Sequence, residues 1–291
     1  MKTRQPLFPH LVPVARDLLE LDDQQRIRAL RADRWIDYPR AVEALARLQR
    51  LLDSPRRERM PCMLLHGPSN IGKTQIIAKF LRQNPARYDT QRGVENRPVI
   101  SLQMPPAPDQ GRFYRALLEV LGVPQAPNAT LSALEYVARD ILKRLAPQIL
   151  VVDEVHHLLA GSAREQRASL NLLKYLANEV KMSIVAVGTS EAPVAFQADN
   201  QVHSRFTPFD LPRWVDGQEY RRLLVSFESV LPLRNPSELQ QRPMAQFLMA
   251  ASGGLLGEVS KLLTAAAEAA VLNGTERITL PLLEQAADVR R

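Results

Sequence analysis

Eight consecutive residues, from Gly67 to Thr74, have the types and the spacing that bind phosphate. They read GPSNIGKT and match the pattern G-x-x-x-x-G-K-[ST]. The pattern follows a stretch that predicts a strand and opens a stretch that predicts a helix, which is the context that this chemistry requires. Unpaired backbone N–H groups and the positive end of the helix dipole make such a loop bind phosphate oxygens.

This phosphate loop (residues 67–74) predicts a nucleotide site with defined roles. Lys73 is expected to reach the terminal phosphates, and the hydroxyl of Thr74 is expected to bind Mg²⁺. A Gly-rich turn that merely joins a strand to a helix is the alternative. The expected nucleotide contacts are Gly67, Pro68, Ser69, Asn70, Ile71, Gly72, Lys73, Thr74 and Gln75.

Two acidic residues follow a second apolar stretch and predict the other side of the same site. Four apolar residues, 149–152, specify a strand buried on both faces, and the carboxylates of Asp153 and Glu154 come directly after it. We expect Asp153 to hold the metal, through water, and Glu154 to polarise the attacking water. The alternative is that both acids cap the following helix.

Two further polar residues are candidates for the reaction itself. Thr189 directly follows the predicted strand 183–188 and could hold the attacking water or the γ-phosphate, with a helix N-cap as the alternative. Arg205 precedes the last predicted strand, FTPFDL, and could reach a neighbouring subunit's γ-phosphate as an arginine finger. A surface salt bridge is the alternative for Arg205.

A pair of histidines, His156 and His157, comes directly after the two acids. Metal ligation is possible for such residues in principle. Adjacent residues on a helix do not face one another, so helix packing or exposure to solvent is the favoured interpretation.

The elements that must position these residues follow from hydrophobic periodicity. Apolar runs predict buried strands at residues 62–66, 98–102, 149–153 and 183–188, with helices between them. One of these helices has a possible capping box in Ser132 and Glu135. Beyond Trp214 only helical patterns remain, at residues 216–231, 236–251, 255–272 and 280–290. The residues ahead of Pro39 look like an irregular arm.

These patterns predict an α/β fold with a parallel sheet sandwiched by helices, followed by a small all-helical domain. The expected boundaries are an N-terminal arm at residues 1–38, a nucleotide-binding α/β domain at 39–212 and a helical domain at 213–291. A chain of 291 residues with 45% hydrophobic residues can bury the cores that this arrangement needs.

Composition excludes several other classes of protein. The single cysteine, Cys62, cannot form an internal disulfide, so a secreted disulfide scaffold and a Cys/His zinc site are both excluded. No apolar stretch approaches the about 20 residues of a membrane helix, and the N-terminus lacks the apolar region of a signal peptide. We therefore expect a cytoplasmic protein without membrane contact.

The formal net charge of +7 suits a polyanionic partner. Residues 73–115 hold eight lysines and arginines against three acids, which makes this half of the sheet the candidate DNA face. Contact with phosphates would be independent of sequence. A solvated basic surface is the alternative, and the arm with Lys2, Arg4 and Pro6 could bind a protein partner instead. The basic residues counted are Lys73, Lys79, Arg82, Arg87, Arg92, Arg97, Arg112 and Arg115.

Together, GPSNIGKT, ILVVDE, the VGT strand end, the SRF arginine and the helical C-terminal region resemble an AAA+ P-loop NTPase with its lid domain. More narrowly, the chain resembles the TniB/TnsC family of transposition-regulating ATPases and is most similar to its TniB branch. That similarity rests on the segments WIDYPRAVEALARLQRLL, RMPCMLLHGPSNIGKT, ILVVDEVHHLL and GGLLGEVSKLL. It covers residues from about 35 to 285.

The resemblance implies a bacterial ATPase with ATP and Mg²⁺ as cofactors, nucleoid-associated when it is on DNA. It also implies assembly with itself as rings or helical filaments on double-stranded DNA, with each nucleotide between neighbours. The implied protein partners are a DDE transposase (TniA/TnsB-like) and a target-selection protein (TniQ-like). In such proteins residues like Ile36, Tyr38 and Pro39 lie near the adenine, although an aromatic residue here could equally belong to the core.

One departure from the family pattern concerns the lid. Related lids often carry an arginine in a G-x-x-R turn that touches the γ-phosphate, whereas Gly257 stands at that position here and Lys261 follows one turn later. Slow hydrolysis, stimulated by DNA or partners, is the expectation that follows. A nucleotide-gated scaffold with little turnover stays open as an alternative, as does a helicase-loader-like or secretion-associated AAA+ ATPase.

Overall fold

The protein is described here by a computed structural model, which covers residues 7–90, 94–197 and 204–289. It divides into two compact units. The sheet unit comprises residues 43–69 and 73–212, and the helical unit comprises residues 70–72, 213–289 and the described residues up to Val42. The described part of the predicted arm therefore groups with the C-terminal helices. The domain limits proposed from the sequence stay a prediction.

A five-stranded parallel sheet forms the centre of the sheet unit. Its strand order is β4-β5-β6-β1-β7, and β2 and β3 form a separate antiparallel pair. Three strands, β1, β5 and β6, have the bounds predicted from their apolar runs, and β4 begins one residue later than predicted. The strands are β1 (Cys62–His66), β2 (Arg87–Asp89), β3 (Val94–Asn96), β4 (Val99–Gln103), β5 (Ile149–Asp153), β6 (Ser183–Gly188) and β7 (Phe206–Asp210).

Helices connect the strands in the order that a parallel sheet requires, because each crossover must return the chain to the same edge. The helices of this part of the chain are α3 (Pro39–Leu52), α4 (Lys73–Gln83), α5 (Gln110–Val120), α6 (Leu131–Leu145), α7 (Ala163–Val180) and α8 (Ala192–Gln197), with a 3₁₀-helix at Val155–Ala160. Leucine, isoleucine and valine side chains from the sheet and from α5 to α7 make one continuous core. This core fixes the strand register and with it the positions of the strand ends.

The start of α6 differs from the predicted capping box. Thr130 is the N-cap, and its side chain accepts a hydrogen bond from the backbone N–H of Ala133 at 3.3 Å. Ser132 lies inside the first turn instead, so the pairing with Glu135 does not occur. The capping box forms one helix later, at α7, where Ser162 and Glu165 exchange both hydrogen bonds.

The helical unit corrects the prediction of an irregular N-terminal arm. Two helices, α1 (Pro13–Asp17) and α2 (Asp23–Arg31), precede α3, and a 3₁₀-turn at Leu18–Glu20 joins them. The side chain of Asp22 accepts a hydrogen bond from the N–H of Gln25 and caps α2. Four helices follow at the C-terminal end, close to the predicted ranges: α9 (Gln218–Val230), α10 (Arg242–Ser252), α11 (Leu256–Leu272) and α12 (Leu280–Asp288).

A buried ion pair holds α2 against the C-terminal part of the helical unit. Arg26 is fully buried, and its guanidinium donates to both carboxylate oxygens of Glu276, at 2.8 and 2.6 Å, and to the carbonyl of Pro232 at 2.8 Å. The side chain of Arg234 donates to the same carboxylate at 2.7 Å. Burial alone would raise the pKa of Glu276, but the hydrogen bonds and charges of the two arginines lower it overall.

Among the described residues, no helix has both the length and the apolar composition needed to cross a lipid bilayer.

We predict that Glu276→Gln destabilises the protein by about 3 kcal/mol, because it removes the buried counter-charge of Arg26 and leaves this cation with the exposed carboxylate of Asp23 at 3.3 Å. Equilibrium urea unfolding measures the change. Since the folded pKa of Glu276 lies below its ordinary 4.5, the loss is complete at neutral pH and shrinks as the pH falls through that folded value. The matched control is Glu268→Gln, whose partner Arg31 is 66% exposed, and it should change stability far less. Equal effects of the two variants would contradict this account.

Candidate nucleotide-binding site

The phosphate loop joins the end of β1 at His66 to the start of α4 at Lys73. Gly67 has a φ of 155°, and a Cβ added there would lie 2.3 Å from the carbonyl oxygen of Leu211. Gly72 has a φ of 103°, which also disfavours any other residue. The two glycines of the pattern are thus required by backbone conformation and, at Gly67, by the close approach of the chain after β7.

Lys73 lies in the first turn of α4 and bends back over the loop. Its ammonium donates to the carbonyl oxygens of Gly67 and Pro68, both at 2.8 Å. Burial lowers the pKa of Lys73, whereas the negative charges of Asp153 and Glu154 raise it. The lysine thus places a cation at the loop and within electrostatic reach of both acids, which fits the binding of a phosphate chain.

Thr74 and Gln75 follow Lys73 at the N-terminus of α4. The side chain of Thr74 is exposed, and that of Gln75 is partly buried. A hydroxyl at this position can be a ligand of Mg²⁺, which prefers oxygen. Its predicted role, like that of Gln75, stays a prediction.

The predicted acids lie at the end of β5. Asp153 is buried, and its Oδ1 accepts a hydrogen bond from the backbone N–H of Glu154 at 2.7 Å. Burial raises the pKa of Asp153, an effect that this hydrogen bond and the charge of Lys73 partly offset. Glu154 adopts a left-handed backbone with φ 57°, which is unfavourable for a residue with a side chain. This conformation ends the strand and leaves the carboxylate of Glu154 partly exposed.

Strand β6 lies between β5 and β1, so its end separates the two acids from the phosphate loop along the edge of the sheet. Thr189 follows this strand, and its Oγ1 is buried without a hydrogen-bond partner among the described residues. A buried hydroxyl without a partner is uncommon and indicates a place where a ligand oxygen or water fits. The structure therefore brings Thr189 to the edge where the sequence predicted it, and no backbone N–H of a described residue donates to its hydroxyl as an N-cap would require.

Gly188 explains how the chain after β5 comes so close to the end of β6. A Cβ on Gly188 would lie 2.7 Å from Cβ of Ala192 and 3.0 Å from Cγ2 of Val155. The backbone N of His156 is also within 3.4 Å of that position. Glycine is thus needed here for packing, and the VGT pattern carries this signal together with the threonine.

His66 and Asp210 form a polar pair that the sequence reasoning missed. They lie at the ends of the paired strands β1 and β7, and Nδ1 of His66 is 3.4 Å from Oδ1 of Asp210. Burial lowers the pKa of His66, the charge of Asp210 raises it, and the charge of Lys73 lowers it further. The signal was available in the sequence, because His66 directly precedes the phosphate loop and Asp210 ends the FTPFDL strand.

The expectation that His156 and His157 do not face one another is wrong. Both belong to the 3₁₀-helix at Val155–Ala160, and their ring centroids are 4.8 Å apart. Nδ1 of His156 lies 3.1 Å from Oε2 of Glu154. In a 3₁₀-helix neighbouring side chains are about 120° apart, so the helical spacing does not produce this contact, and it is the orientation of the two rings that brings them together.

Arg205 is not close to the other site residues along the sheet edge of its own chain. It directly precedes β7, and its carbonyl accepts the N–H of Cys62 at the start of β1, so it lies at the opposite edge from the phosphate loop. Its guanidinium donates to Oδ1 of Asn178 at 2.6 Å. This position leaves contact with a nucleotide of another subunit as a prediction.

Of the three residues predicted near the adenine, Ile36 and Tyr38 are buried in the helical unit and Pro39 is exposed. The ring of Tyr38 packs edge-on against Trp214 at 5.4 Å. Burial raises the pKa of Tyr38 to about 12. A Cβ on Gly72 would lie 3.4 Å from the Tyr38 hydroxyl, which places this ring beside the tip of the phosphate loop. The adenine contact itself stays a prediction.

The tip of the phosphate loop, Asn70, contacts the start of α11 within the helical unit. The N–H of Gly257 donates to the carbonyl of Asn70 at 2.8 Å, and the amide of Asn70 donates to Glu258 at 2.9 Å. A Cβ on Gly257 would lie 3.1 Å from that carbonyl oxygen. Lys261, considered as a substitute for the lid arginine, instead pairs with Glu258 at 2.8 Å. Gly257, which stands where related lids have an arginine, therefore makes a close backbone contact with Asn70.

The basic stretch contains residues of two kinds. Arg97 pairs with Glu95 and donates to the carbonyl of Val120, and Arg115 donates to three carbonyls of the loop after α5. The guanidinium groups of these two arginines are therefore engaged in contacts within the chain. The exposed arginines, and therefore the better candidates for DNA contact, are Arg82, Arg87 and Arg112. Arg92 and the arm residues Lys2, Arg4 and Pro6 lie outside the described residues.

Along one edge of the sheet the chain thus places a cationic phosphate loop, an unpartnered hydroxyl and two carboxylates. This set can bind a phosphate chain, hold a divalent cation through oxygen ligands and remove a proton from water. Hydrolysis of a nucleoside triphosphate is the reaction that needs all three.

Comparisons with known proteins identify a family and a fold. The family model for the bacterial TniB protein matches residues 26–216, and no curated protein sequence matches. Among solved structures, Aeropyrum pernix ORC2 with ADPNP and ADP is 18% identical, with a TM-score of 0.61 over 90% of this chain and 71% of that chain. Aeropyrum pernix ORC1 in complex with DNA is 20% identical, with a TM-score of 0.60 over 89% and 68%. Cdc6p from Pyrobaculum aerophilum is 14% identical, with a TM-score of 0.61 over 91% and 70%.

At these identities the solved structures show a shared fold, which confirms the prediction of an AAA+ parallel sheet flanked by helices with a helical C-terminal region.

We predict that Gly67→Ala disrupts the loop much more than Gly122→Ala does. Both glycines have a positive φ, so each alanine adds a backbone strain of about 1 kcal/mol. The Cβ at position 67 meets the Leu211 carbonyl, whereas a Cβ at position 122 meets no described atom within 4 Å beyond its own chain neighbours. Thermal unfolding and binding of a fluorescent nucleotide measure the two effects. Equal losses of stability and intact nucleotide binding in Gly67→Ala would contradict the prediction.

Proposed function

Because the chain belongs to the TniB family, we propose that it is an ATPase that assembles on double-stranded DNA and regulates transposition. ATP binding favours the assembled form, and hydrolysis to ADP and phosphate resets it. A TniA/TnsB-like DDE transposase is the partner that the assembly recruits, and a TniQ-like protein selects the target. The family similarity supports these partners, and the geometry of the sheet edge supports the reaction.

The observation that carries the proposal is the order of groups along the sheet edge. The acids after β5, the hydroxyl after β6 and the phosphate loop after β1 lie on three neighbouring strands. Parallel strands bring their carboxyl ends to one edge, and ligands of such sheets bind there. In the sequence, more than one hundred residues separate the loop from Thr189. Their convergence is therefore a property of the fold rather than of a local motif.

Each group has one role in the proposed reaction. The amides of the phosphate loop and the ammonium of Lys73 bind the phosphates, while Thr74 and Asp153 hold Mg²⁺. When bound, Mg²⁺ neutralises charge on the phosphates. Glu154, whose carboxylate is 40% exposed, accepts the proton of the attacking water, and the hydroxyl of Thr189 orients that water or the γ-phosphate.

Arg205 supplies the remaining charge from another subunit. A guanidinium at the opposite sheet edge cannot serve the nucleotide at its own loop, but assembly of identical subunits can bring it to a neighbour's γ-phosphate. In this role the guanidinium would exchange its hydrogen bond to Asn178 for one to the phosphate. Hydrolysis would then depend on assembly, which connects turnover to the DNA-bound state.

Binding to DNA is supported by the charge of the chain. The formal net charge is +7, and Arg82, Arg87 and Arg112 are exposed. A similar fold carries DNA in the solved complex of Aeropyrum pernix ORC1. Contact through arginine to phosphate makes binding independent of sequence and steeply dependent on salt.

A scaffold with little turnover is the second candidate, and the contact between Gly257 and Asn70 favours it. A lid that has no arginine at this position offers less charge to the γ-phosphate. Nucleotide binding would then control assembly without frequent hydrolysis. The Glu154→Gln comparison below separates the two candidates, because only an active ATPase loses turnover in that variant.

We predict that Lys73→Ala abolishes nucleotide binding and ATP-dependent association with DNA together, whereas Glu154→Gln binds nucleotide and accumulates on DNA. Calorimetry with Mg·ATP and a DNA filter assay measure these effects, and turnover assays of wild type and Glu154→Gln follow. Lys143→Ala, on the exposed face of α6, is the control for loss of a lysine. DNA assembly by Lys73→Ala without nucleotide would overturn the proposal.

We also predict that Arg205→Ala lowers turnover about 10³-fold or more, and that mixing it with Lys73→Ala partly restores activity. In a mixed assembly the Lys73→Ala subunit donates its Arg205 to the intact loop of its neighbour. The matched control is Asn178→Ala, which removes the partner of Arg205 within the chain but keeps the guanidinium. Loss of activity in Asn178→Ala equal to that in Arg205→Ala, without restoration on mixing, would show a purely structural role.

A further inference from the structure

Three side chains next to the sheet edge carry potential metal-ligand atoms that lie close to one another. One atom from each of Glu154, His156 and His157 lies within 4.8 Å of the others. All three side chains are partly buried. A carboxylate oxygen and two imidazole nitrogens form a ligand set of the kind that transition metals bind.

The two imidazoles lie against one another in the segment after β5. The left-handed conformation of Glu154 ends β5, and in the 3₁₀-helix that follows the centroids of the two rings are 4.8 Å apart. Two imidazoles so close to one another and to a carboxylate are not explained by core packing, because both rings are partly exposed.

Hydrogen bonding prepares both rings for ligation. Nδ1 of His157 lies 3.0 Å from the carbonyl oxygen of Met104, and a carbonyl can only accept, so Nδ1 carries a proton and Nε2 is the nitrogen left to bind a metal. A hydrogen bond of this kind orients the histidine ligands of metals. Nδ1 of His156 is buried, forms no hydrogen bond with a described residue and lies 3.1 Å from Oε2 of Glu154.

We propose that Glu154, His156 and His157 form a site for a divalent transition metal ion, with Zn²⁺ as the fitting ion, and that its binding arrests ATP hydrolysis. Imidazole nitrogens suit Zn²⁺ and not Mg²⁺, which prefers oxygen, so the site is chemically distinct from the Mg²⁺ of the nucleotide. Water completes the tetrahedral coordination, because three protein ligands leave one position open.

Hydrolysis would stop because the carboxylate of Glu154 would serve both as a ligand of Zn²⁺ and as the base for the attacking water. Zn²⁺ bound to the carboxylate of Glu154 would withdraw negative charge from both of its oxygens and make the group a weaker base for the attacking water. Tetrahedral ligand atoms at about 2.0 to 2.2 Å from Zn²⁺ are roughly 3.4 Å from one another, so Nδ1 of His156 and Oε2 of Glu154, at 3.1 Å, already have a suitable separation. A separation near the 4.8 Å limit must shorten by about 1.4 Å, and rotation of these partly exposed side chains can provide that movement. This regulatory part rests on the proposed ATPase function, whereas the metal site does not.

The site is tested by titrating Co²⁺, the coloured substitute for Zn²⁺, into tag-free protein that holds no nucleotide. Wild type should give the visible absorption of tetrahedral Co²⁺ at one equivalent, and Zn²⁺ should displace it. His157→Gln keeps a donor for the Met104 carbonyl but removes the nitrogen ligand, and we expect at least a tenfold weaker affinity. His156→Ala should weaken binding similarly.

The matched control is His10→Gln. Like His157, His10 makes a single hydrogen bond to a carbonyl, at 3.1 Å from Leu233, but it belongs to the helical unit. It should bind Co²⁺ as wild type does. Absence of the tetrahedral spectrum from wild type, or its retention in both His157→Gln and His156→Ala, overturns the site.

The regulatory part is tested by measuring ATP hydrolysis at saturating Mg²⁺ with and without Zn²⁺, and by comparing each variant with itself. Zn²⁺ should inhibit wild type and His10→Gln at the concentrations that displace Co²⁺, and His157→Gln should need at least tenfold more. Equal inhibition of all variants overturns the regulation and assigns the effect to another site. A clear Co²⁺ spectrum in a protein without any turnover would instead contradict the proposed function while supporting the metal site.

Discussion

Parallel pairing of β5, β6 and β1 is the constraint on which the candidate site depends. Each strand is buried on both faces, so its register is fixed by packing as well as by hydrogen bonds. A shift of one strand by a single residue would turn its side chains to the other face and move its end away from its neighbours. The apolar core therefore does more than stabilise the chain, because it determines the distances among the groups that follow the strands.

The strands and the phosphate loop could be predicted because their signals are local. Four or five consecutive apolar residues specify a strand of this kind, and the glycines of GPSNIGKT are required by backbone conformation that only glycine adopts readily. The same holds for the C-terminal helices, whose amphipathic periodicity extends over several turns. The fold class, which the similar solved structures confirm, follows from the alternation of these signals.

Other features could not be predicted because they depend on residues distant in sequence. The helix α2 has few apolar residues, and its fully buried Arg26 pairs with Glu276, 250 residues later. The pairing of His66 with Asp210 needs the neighbouring positions of β1 and β7, which sequence periodicity does not give. The histidine pair was misjudged for a different reason. The argument considered the helical spacing of the two residues alone, whereas the contact is made by the orientation of their rings.

The hydroxyl of Thr189 has a consequence for which ligands the protein can accept. Burying a polar group without a partner costs a folded chain about 1 to 3 kcal/mol, and an incoming atom that completes the hydrogen bond recovers that amount. A molecule that offers an oxygen at this point gains roughly tenfold or more in affinity over one that does not. The buried hydroxyl of Thr189 thus gives the folded chain a preference for ligands that complete its hydrogen bond.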